Sequence, residues 1–380
     1  MILTLPIAVV LLAGWLCLAA QVVAALRFAR RPLPTAAEQP PVTVLKPLHG
    51  AEPGLYENLR SFVDQDYSAV QVVLGVNDPR DTALGAADTL IRAFPKDDID
   101  LVVDRRIRGN NQKVSNLENM LPAADHDLLV LADSDMRVDR RYLAAVTAPL
   151  ADRRTGVVTC LYKGASTGGL WSDLGALQIN FGFLPNALFG EALGVGGGCF
   201  GATIALRRAT LSRIGGFAAL RDELADDHRI GEAVQAQGLG LVLSPYLVEA
   251  QVHEPSFTAL WRHELRWART VRGVAPAKYA GSAVTHPLAL ALVAAAGAGF
   301  SLVPTILLAV ACAVRWAAAG IIARSLGLSV TRLWLLPARD ALSFAVFVAS
   351  FFVRKVFWRD QNFQVEASGR ISAVDGEKFS

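Results

Sequence analysis

Three hydrophobic patterns follow one another along this chain. Residues 2–26 form an apolar run without a single charge, about long enough to span a bilayer. From Val42 the pattern breaks into short apolar runs separated by segments of helical spacing. VTVLKPL, VQVVLGVND, IDLVVD, LLVLADSD and GVVTCLY read as buried strands, and LYENLRSFVDQDY and TALGAADTLIRAF between them read as helices. After residue 285 long apolar stretches return. Residues 287–314 carry no charge, residues 316–323 continue beyond Arg315, and residues 333–353 are apolar apart from Arg339 and Asp340.

Strands alternating with helices predict an α/β domain built on a mostly parallel, doubly wound sheet. Ligands of such sheets bind outside the carboxyl ends of the strands. The pattern divides the chain into an N-terminal transmembrane anchor (1–31), a Pro-rich linker (32–41, PLPTAAEQPP), the α/β domain (42–283), C-terminal membrane segments (284–353) and a tail (354–380). The first segment differs from a signal peptide: no basic stretch precedes it and its apolar core is too long. Arg27, Arg30 and Arg31 follow it directly, which places the domain in the cytoplasm by the positive-inside rule. The stretch around Gly299 and Pro304 is too long for one span and short for two, so a helical hairpin or a pair of short helices is expected. A third C-terminal crossing would leave Arg354, Lys355 and Arg359 outside. One C-terminal segment is therefore expected to lie in the interface or to re-enter. VFWRDQNFQVEASGRISAV alternates as a short hairpin would.

Composition adds little to this. The chain is 53% hydrophobic and 19% charged, and its net charge of +3 is too small to argue for nucleic acid. The four cysteines lie far apart without metal-ligand spacing and read as buried or membrane residues.

Candidate chemistry begins where LLVLADSDMRV ends its apolar run in Asp133-Ser134-Asp135. Two carboxylates one residue apart at a strand end suit a divalent cation, Mg²⁺ or Mn²⁺, that a diphosphate also holds. Asp78 closes an earlier strand and either accepts a hydrogen bond from a uracil imide or forms the turn before Pro79. In GNNQKVSNL, Lys113 can reach a phosphate; Asn116 either meets ribose or phosphate or serves a cap or turn. Asp226-Asp227 begins a helix after a Gly-Gly-Phe turn. The pair either complements the helix dipole or supplies a base, and Asp227 is the favoured base, adjusted by Asp226 or His228. TALWRHELRWARTVR reads as an amphipathic helix. Its Arg266 and Trp267 suit a membrane interface or a wall of an acceptor site with Arg266 facing the diphosphate. The glycines of GVGGGCFGATIALRR suit either a close substrate approach or a tight turn. Acid pair, second acid pair and Arg-Trp, in that order, predict a nucleotide-sugar transferase.

These residues resemble the ceramide glucosyltransferases, inverting GT-A enzymes of glycosyltransferase family 21. VTVLKPLHGAEPGLYENLRSF resembles the family's opening block. Asp78, Asp133 and Asp227 match its spaced aspartates, Lys113 and Asn116 its Lys-x-x-Asn-Leu loop, and Arg266-Trp267 the end of its Gln/Arg-x-x-Arg-Trp motif. His263 departs from that motif's first position, which leaves its role as a supporting or acceptor-side residue. KVSNL, CLYKG, HELRWARTVR and VTHP look similar to a bacterial branch, the hopanoid-biosynthesis glycosyltransferases. The resemblance implies a multi-pass protein of the bacterial inner membrane that moves N-acetylglucosamine from UDP-GlcNAc to bacteriohopanetetrol. Rival readings are a ceramide glucosyltransferase using UDP-glucose, a processive polysaccharide synthase, and a non-catalytic membrane protein that binds nucleotide sugar.

Overall fold

The computed structural model describes residues 4–35, 38–195, 198–353, 355–358, 361–365 and 370–373. Its centre is an eight-stranded sheet: β1 (Val42–Pro47), β2 (Val70–Val76), β3 (Asp98–Val103), β4 (Leu128–Leu131), β5 (Met136–Arg137), β6 (Thr155–Ser166), β7 (Ile204–Arg207) and β8 (Gly240–Val252). The order is β3-β2-β1-β4-β7-β6-β8-β5. β1 to β4 run parallel, as do β6 and β8, while β7 is antiparallel to both of its neighbours and β5 to β8. The five predicted strands are present. β5, β7 and β8 are additions that the hydrophobic pattern did not bring out.

The helices in chain order are α1 (Thr4–Ala29), α2 (Leu55–Val63), α3 (Leu84–Ala93), α4 (Gln112–Met120), α5 (Tyr142–Thr147), α6 (Leu170–Gln178), α7 (Leu184–Ala192), α8 (Arg208–Arg213), α9 (Asp226–Ala236), α10 (Phe257–Val274), α11 (Pro276–Gly281), α12 (Pro287–Gly297), α13 (Leu302–Leu326) and α14 (Leu336–Ala349). On one face of the sheet Leu55, Leu59, Phe62, Leu90 and Tyr142, from α2, α3 and α5, close over Val44, Val72 and Val130. On the other, Val114, Leu117, Leu211 and Ile230, from α4, α8 and α9, cover Leu45, Val73 and Leu129. All six residues of β1 are buried. Each apolar side chain there contributes about 1.5–3 kcal/mol, which makes the sheet a rigid platform for whatever its carboxyl edge carries.

The membrane segments form a bundle joined to this platform. Leu11–Ala29 and Leu302–Leu326 are each long and apolar enough to cross a membrane, and the pair Pro276–Thr285 and Pro287–Gly297, bent by 65°, counts as a third span if taken together. Leu11 packs with Ala311 and Leu288, while Ala25 and Phe28 pack with Ile322 and Ala323. α1 and α13 therefore lie side by side in the same direction. Gly14 lets α1 approach closely: a Cβ there would lie 2.7 Å from that of Pro287.

One expectation narrows here and another changes. Of the two expected arrangements, a helical hairpin and a pair of short helices, the structure has the hairpin, with a short α12, a full-length α13 and the break at Gly299 and Phe300, both at positive φ. Arg315 does not interrupt α13, because its guanidinium bonds both carboxylate oxygens of Asp340 at 2.7 and 3.0 Å and the carbonyl of Phe181 at 2.8 Å. The N-terminal segment is also more than an anchor: Ala24, Ala25 and Phe28 share a core with Leu161 of β6, Leu184 and Leu188 of α7 and Leu260 of α10. The tail's predicted hairpin is present as antiparallel β9 (Lys355–Trp358) and β10 (Gln361–Val365), extended by β11 (Ile371–Ala373).

Candidate active site

β4 is buried along its whole length and delivers Asp133-Ser134-Asp135 to the carboxyl edge of the sheet. The next strand, β1, sends Lys46 up beneath them. Lys46 is fully buried, its ammonium rests 3.8 Å over the Phe62 ring, and it donates to the backbone carbonyl of Asp133. Burial pushes its pKa down to about 7, against the pull of Asp135 and Asp133. Burial pushes the Asp135 carboxyl the other way, up to about 8, with Asp133 and Glu52 adding repulsion.

Asn111 caps α4 by accepting from Val114 N at 3.0 Å, and its amide also donates to the Glu223 carbonyl at 2.8 Å. One asparagine thus ties the start of α4 to the loop that precedes α9. The result is that Lys113 stands between the two acid pairs, 2.6 Å from Asp133 Oδ1 and 3.7 Å from Asp226 Oδ2. Burial works against its ammonium, but Asp133 and Asp226 outweigh that and hold its pKa above the ordinary lysine range. Asp227, beside Asp226, accepts from Gly201 N and His228 N, each at 2.8 Å. Burial, then the charge of Asp226, lift its carboxyl to about 6. Gly201 is the hub. A Cβ there would lie 3.3 Å from Asp227, 3.4 Å from Lys113 Nζ and 3.5 Å from Asp133.

α10 supplies a second wall. Its N-terminus is capped by Ser256, which accepts from Ala259 N at 3.1 Å. His263, Arg266 and Trp267 follow at i, i+3 and i+4 and so share one face. The His263 ring meets Trp267 edge-on at 4.4 Å, and its Nδ1 lies 2.6 Å from Glu254 Oε1. Trp267, Tyr162 and Phe183 all pack against the cluster of Ala176, Ile179 and Val252, and the rings of Tyr162 and Phe183 stack at 4.7 Å. Burial raises the Tyr162 hydroxyl above its ordinary range, and Asp227 and Asp135 add to the effect. Tyr162 therefore stands between the acid groups and the α10 wall.

Three expected residues lie differently. Asn116 is 1% exposed, and its amide donates to the Gly75 carbonyl at 2.7 Å. That bond locks α4 to β2, which is a structural role beneath the helix. The His228 ring turns along α9 to Glu232 at 3.2 Å, so it meets Asp227 through its backbone N–H alone. Asp78 stands at the carboxyl end of β2 but accepts from the backbone N of Arg80 at 2.9 Å. That bond, then the Arg80 side chain, hold its carboxyl below the usual range, which is the turn-forming arrangement. Lys46, Tyr162 and Glu254 were not among the expected site residues, whereas Gly201 belongs to the glycine run for which a close substrate approach was one of two readings. Lys46 had a signal, as the one charge inside an otherwise apolar strand.

Among the described residues no group of three or more His, Cys, Asp and Glu side chains forms a cage for a metal ion. The donor set fits a different mode of binding. Mg²⁺ and Mn²⁺ suit one or two carboxylates completed by phosphate oxygens and water. Asp133 and Asp135 offer that pair. Burial first, and then the charges of Asp133 and Glu52, disfavour the ionised form of Asp135, and a cation beside it would favour that form.

The pattern of glycosyl transferase family 21 matches residues 5–371. Ceramide glucosyltransferase 1 of Caenorhabditis elegans is 26% identical over 211 residues, 54% of this chain and 44% of that protein. Ceramide glucosyltransferase of Komagataella phaffii is 32% identical over 119 residues, 29% of this chain and 22% of that protein. The chain thus spans less than half the length of these two relatives. Among solved structures, the mannosyltransferase PcManGT from Pyrobaculum calidifontis, in complex with GDP-Man and Mn²⁺, aligns with a TM-score of 0.58 at 21% identity. The match covers 91% of this chain and 98% of that one. That likeness shows the fold, a GT-A sheet with apolar helices at its two ends.

Proposed function

This chain belongs to glycosyltransferase family 21, and from that premise we propose that it moves a sugar from a UDP-sugar to a lipid hydroxyl with inversion at the anomeric carbon. The observation that carries the proposal is the convergence of Lys113, Asp133 and Asp227 on the backbone of Gly201. A nucleotide-sugar transferase needs a cation at the leaving diphosphate and a base at the acceptor, a few ångströms apart.

In this reading Lys113 and Arg266 meet the diphosphate, and Asp78, which holds the Arg80 turn yet leaves half of its side chain exposed, meets the uracil. Asp133 and Asp135 would hold Mg²⁺ or Mn²⁺, which when bound neutralises charge developing on the leaving group. Asp227 takes the proton of the acceptor hydroxyl. With its carboxyl near 6 it is ionised at neutral pH and still basic enough to act. Tyr162, Phe183 and Trp267 shield that hydroxyl from water. An α-linked donor then gives a β-glycoside.

The acceptor is membrane lipid, because α10 and the α6–α7 segment join the site to the bundle of α1, α13 and α14. The named relatives weigh toward ceramide and UDP-glucose. Bacteriohopanetetrol and UDP-GlcNAc rest on the wording of the sequence. Arg27, Arg30 and Arg31 after α1 support a cytoplasmic domain, the parallel course of α1 and α13 is consistent with two passes that return the tail to the domain's side, and a bacterial inner membrane rests on the wording of the sequence. The close packing of α1 on α13 disfavours a polymer channel.

The test is an assay of the purified chain with UDP-glucose and UDP-GlcNAc against ceramide and bacteriohopanetetrol. One pair should give a single-sugar lipid. Long polymer would select the synthase reading, and tight UDP binding without turnover on any acceptor would select the non-catalytic one.

A further inference from the structure

The parallel course of α1 and α13 brings their carboxyl ends together on the side of the α/β domain. There Leu26 of α1 and Ala317, Gly320, Ile321, Arg324 and Ser325 of α13 line a groove of about 520 Å³. The α13 residues recur at helical spacing, so one face of that helix forms the floor. Gly320 keeps it open: a Cβ there would meet nothing within 4 Å. Ile321 leaves 46% of its surface uncovered.

Charge marks only one end of this groove. Arg324 stands exposed at its rim, and Arg30 follows one turn beyond Leu26, exposed as well. Among the described residues neither guanidinium has a carboxylate partner. Their neighbours differ. Arg31 pairs with Glu191 at 2.9 Å, and Arg315 deeper in α13 with Asp340 at 2.7 Å. An apolar floor ending in two unpaired cations matches a molecule with a hydrocarbon chain and an anionic head. We propose that this groove binds one anionic phospholipid, its acyl chain along Ala317–Ile321 and its phosphate between Arg324 and Arg30. The site is separate from the proposed acceptor wall: the groove shares no lining residue with Tyr162, Phe183 or Trp267. A neutral hydroxylated acceptor would also leave both arginines unmatched. The inference rests on α1 and α13 crossing the membrane and on no property of the transfer reaction.

The experiment uses the full chain in neutral detergent, titrated with phosphatidylglycerol or phosphatidylcholine and no sugar donor. Native mass spectrometry counts bound lipid, and thermal unfolding follows its effect. One phosphatidylglycerol should be retained in preference to phosphatidylcholine and should raise Tm saturably. Arg324→Gln and Arg30→Gln should each weaken it about fivefold, the effect of one basic side chain beside an anionic surface. Gly320→Leu fills the floor with both arginines in place, so it should remove the preference without lowering the lipid-free Tm. Arg92→Gln, on the far domain surface, should change nothing. Equal retention of the two lipids overturns the proposal, as does unaltered phosphatidylglycerol binding by Arg324→Gln or Gly320→Leu. Because no donor is present, failure here leaves the transferase reading untouched, and the reverse holds too.

Discussion

Gly201→Ala is the most direct probe of the site. The glycine has no positive φ to protect, so alanine fits its backbone. The added methyl would stand 3.3 Å from the Asp227 carboxylate, 3.4 Å from Lys113 Nζ and 3.5 Å from Asp133. These are close contacts with the ends of side chains, which yield by a few tenths of an ångström. Overpacking of this kind costs roughly 1 kcal/mol at most, the low end of the range for inserted methylenes, so the fold should survive with Tm lowered by a few degrees. Catalysis should be far more sensitive. All three groups are pushed outward from the space a donor phosphate would enter, and a misplacement of about 1 Å costs on the order of 10² in rate. The expected result is kcat reduced about a hundredfold, with UDP binding weakened and acceptor KM little changed. Initial rates, calorimetric UDP titration and thermal unfolding measured on one preparation separate these effects. A variant with wild-type kcat and UDP affinity would show that the reacting groups lie elsewhere.

Other residues give independent tests. Asp227→Asn should lower kcat by about 10²–10⁴ while UDP still binds. In the wild type the raised Asp227 carboxyl is protonated below about 6, so kcat should climb with pH through that value and then level. Asp226→Asn as the dead variant would move the base by one residue. Mn²⁺ should raise Tm in the presence of UDP, and Asp135→Ala should abolish that rise; a shift that persists in the variant places the ion elsewhere. The bidentate pair of Arg339 and Glu264, at 2.6 and 2.7 Å and almost wholly buried, holds α14 to α10. Arg339→Met should destabilise by about 3–5 kcal/mol by stranding the Glu264 charge. Adding Glu264→Met should recover most of that loss, and a double variant no better than the single would refute the coupling.

How much of this could be read beforehand depended on the range of the interaction. Asp133 and Asp135 were legible because a buried strand that ends in two carboxylates is a local pattern. Lys113 was legible as a cation in a polar loop, but not its position between acids about twenty and a hundred residues further on. Asn116 misled because spacing cannot show what lies under a helix. Gly75 has no side chain, and Asn116 and Met120 fill the space; a Cβ there would lie 2.6 Å from Asn116 Oδ1. β7 was hidden at the end of a glycine-rich run that read as a close substrate approach or a tight turn. β8 carries Ser244-Pro245 where its pairing with β6 shifts register between Cys160 and Tyr162, and such a break disguises a long strand as two short ones. The N-terminal helix, apolar all round, showed no face. Only its packing reveals that Ala25 and Phe28 belong to the core of the domain.

That shared core constrains how the protein is made. Phe28 leaves the ribosome first, yet Ile322 and Ala323, which complete its surroundings, emerge only after the whole α/β domain between them. At about 5–20 residues per second the interval is on the order of tens of seconds. During it α1 sits in the bilayer with its inner face against lipid, and Leu161 and Leu184 wait on a domain already folded around its sheet. Insertion of α13 therefore closes this core. A chain truncated before α13 would expose an apolar seam to quality-control proteases while its sheet was already complete.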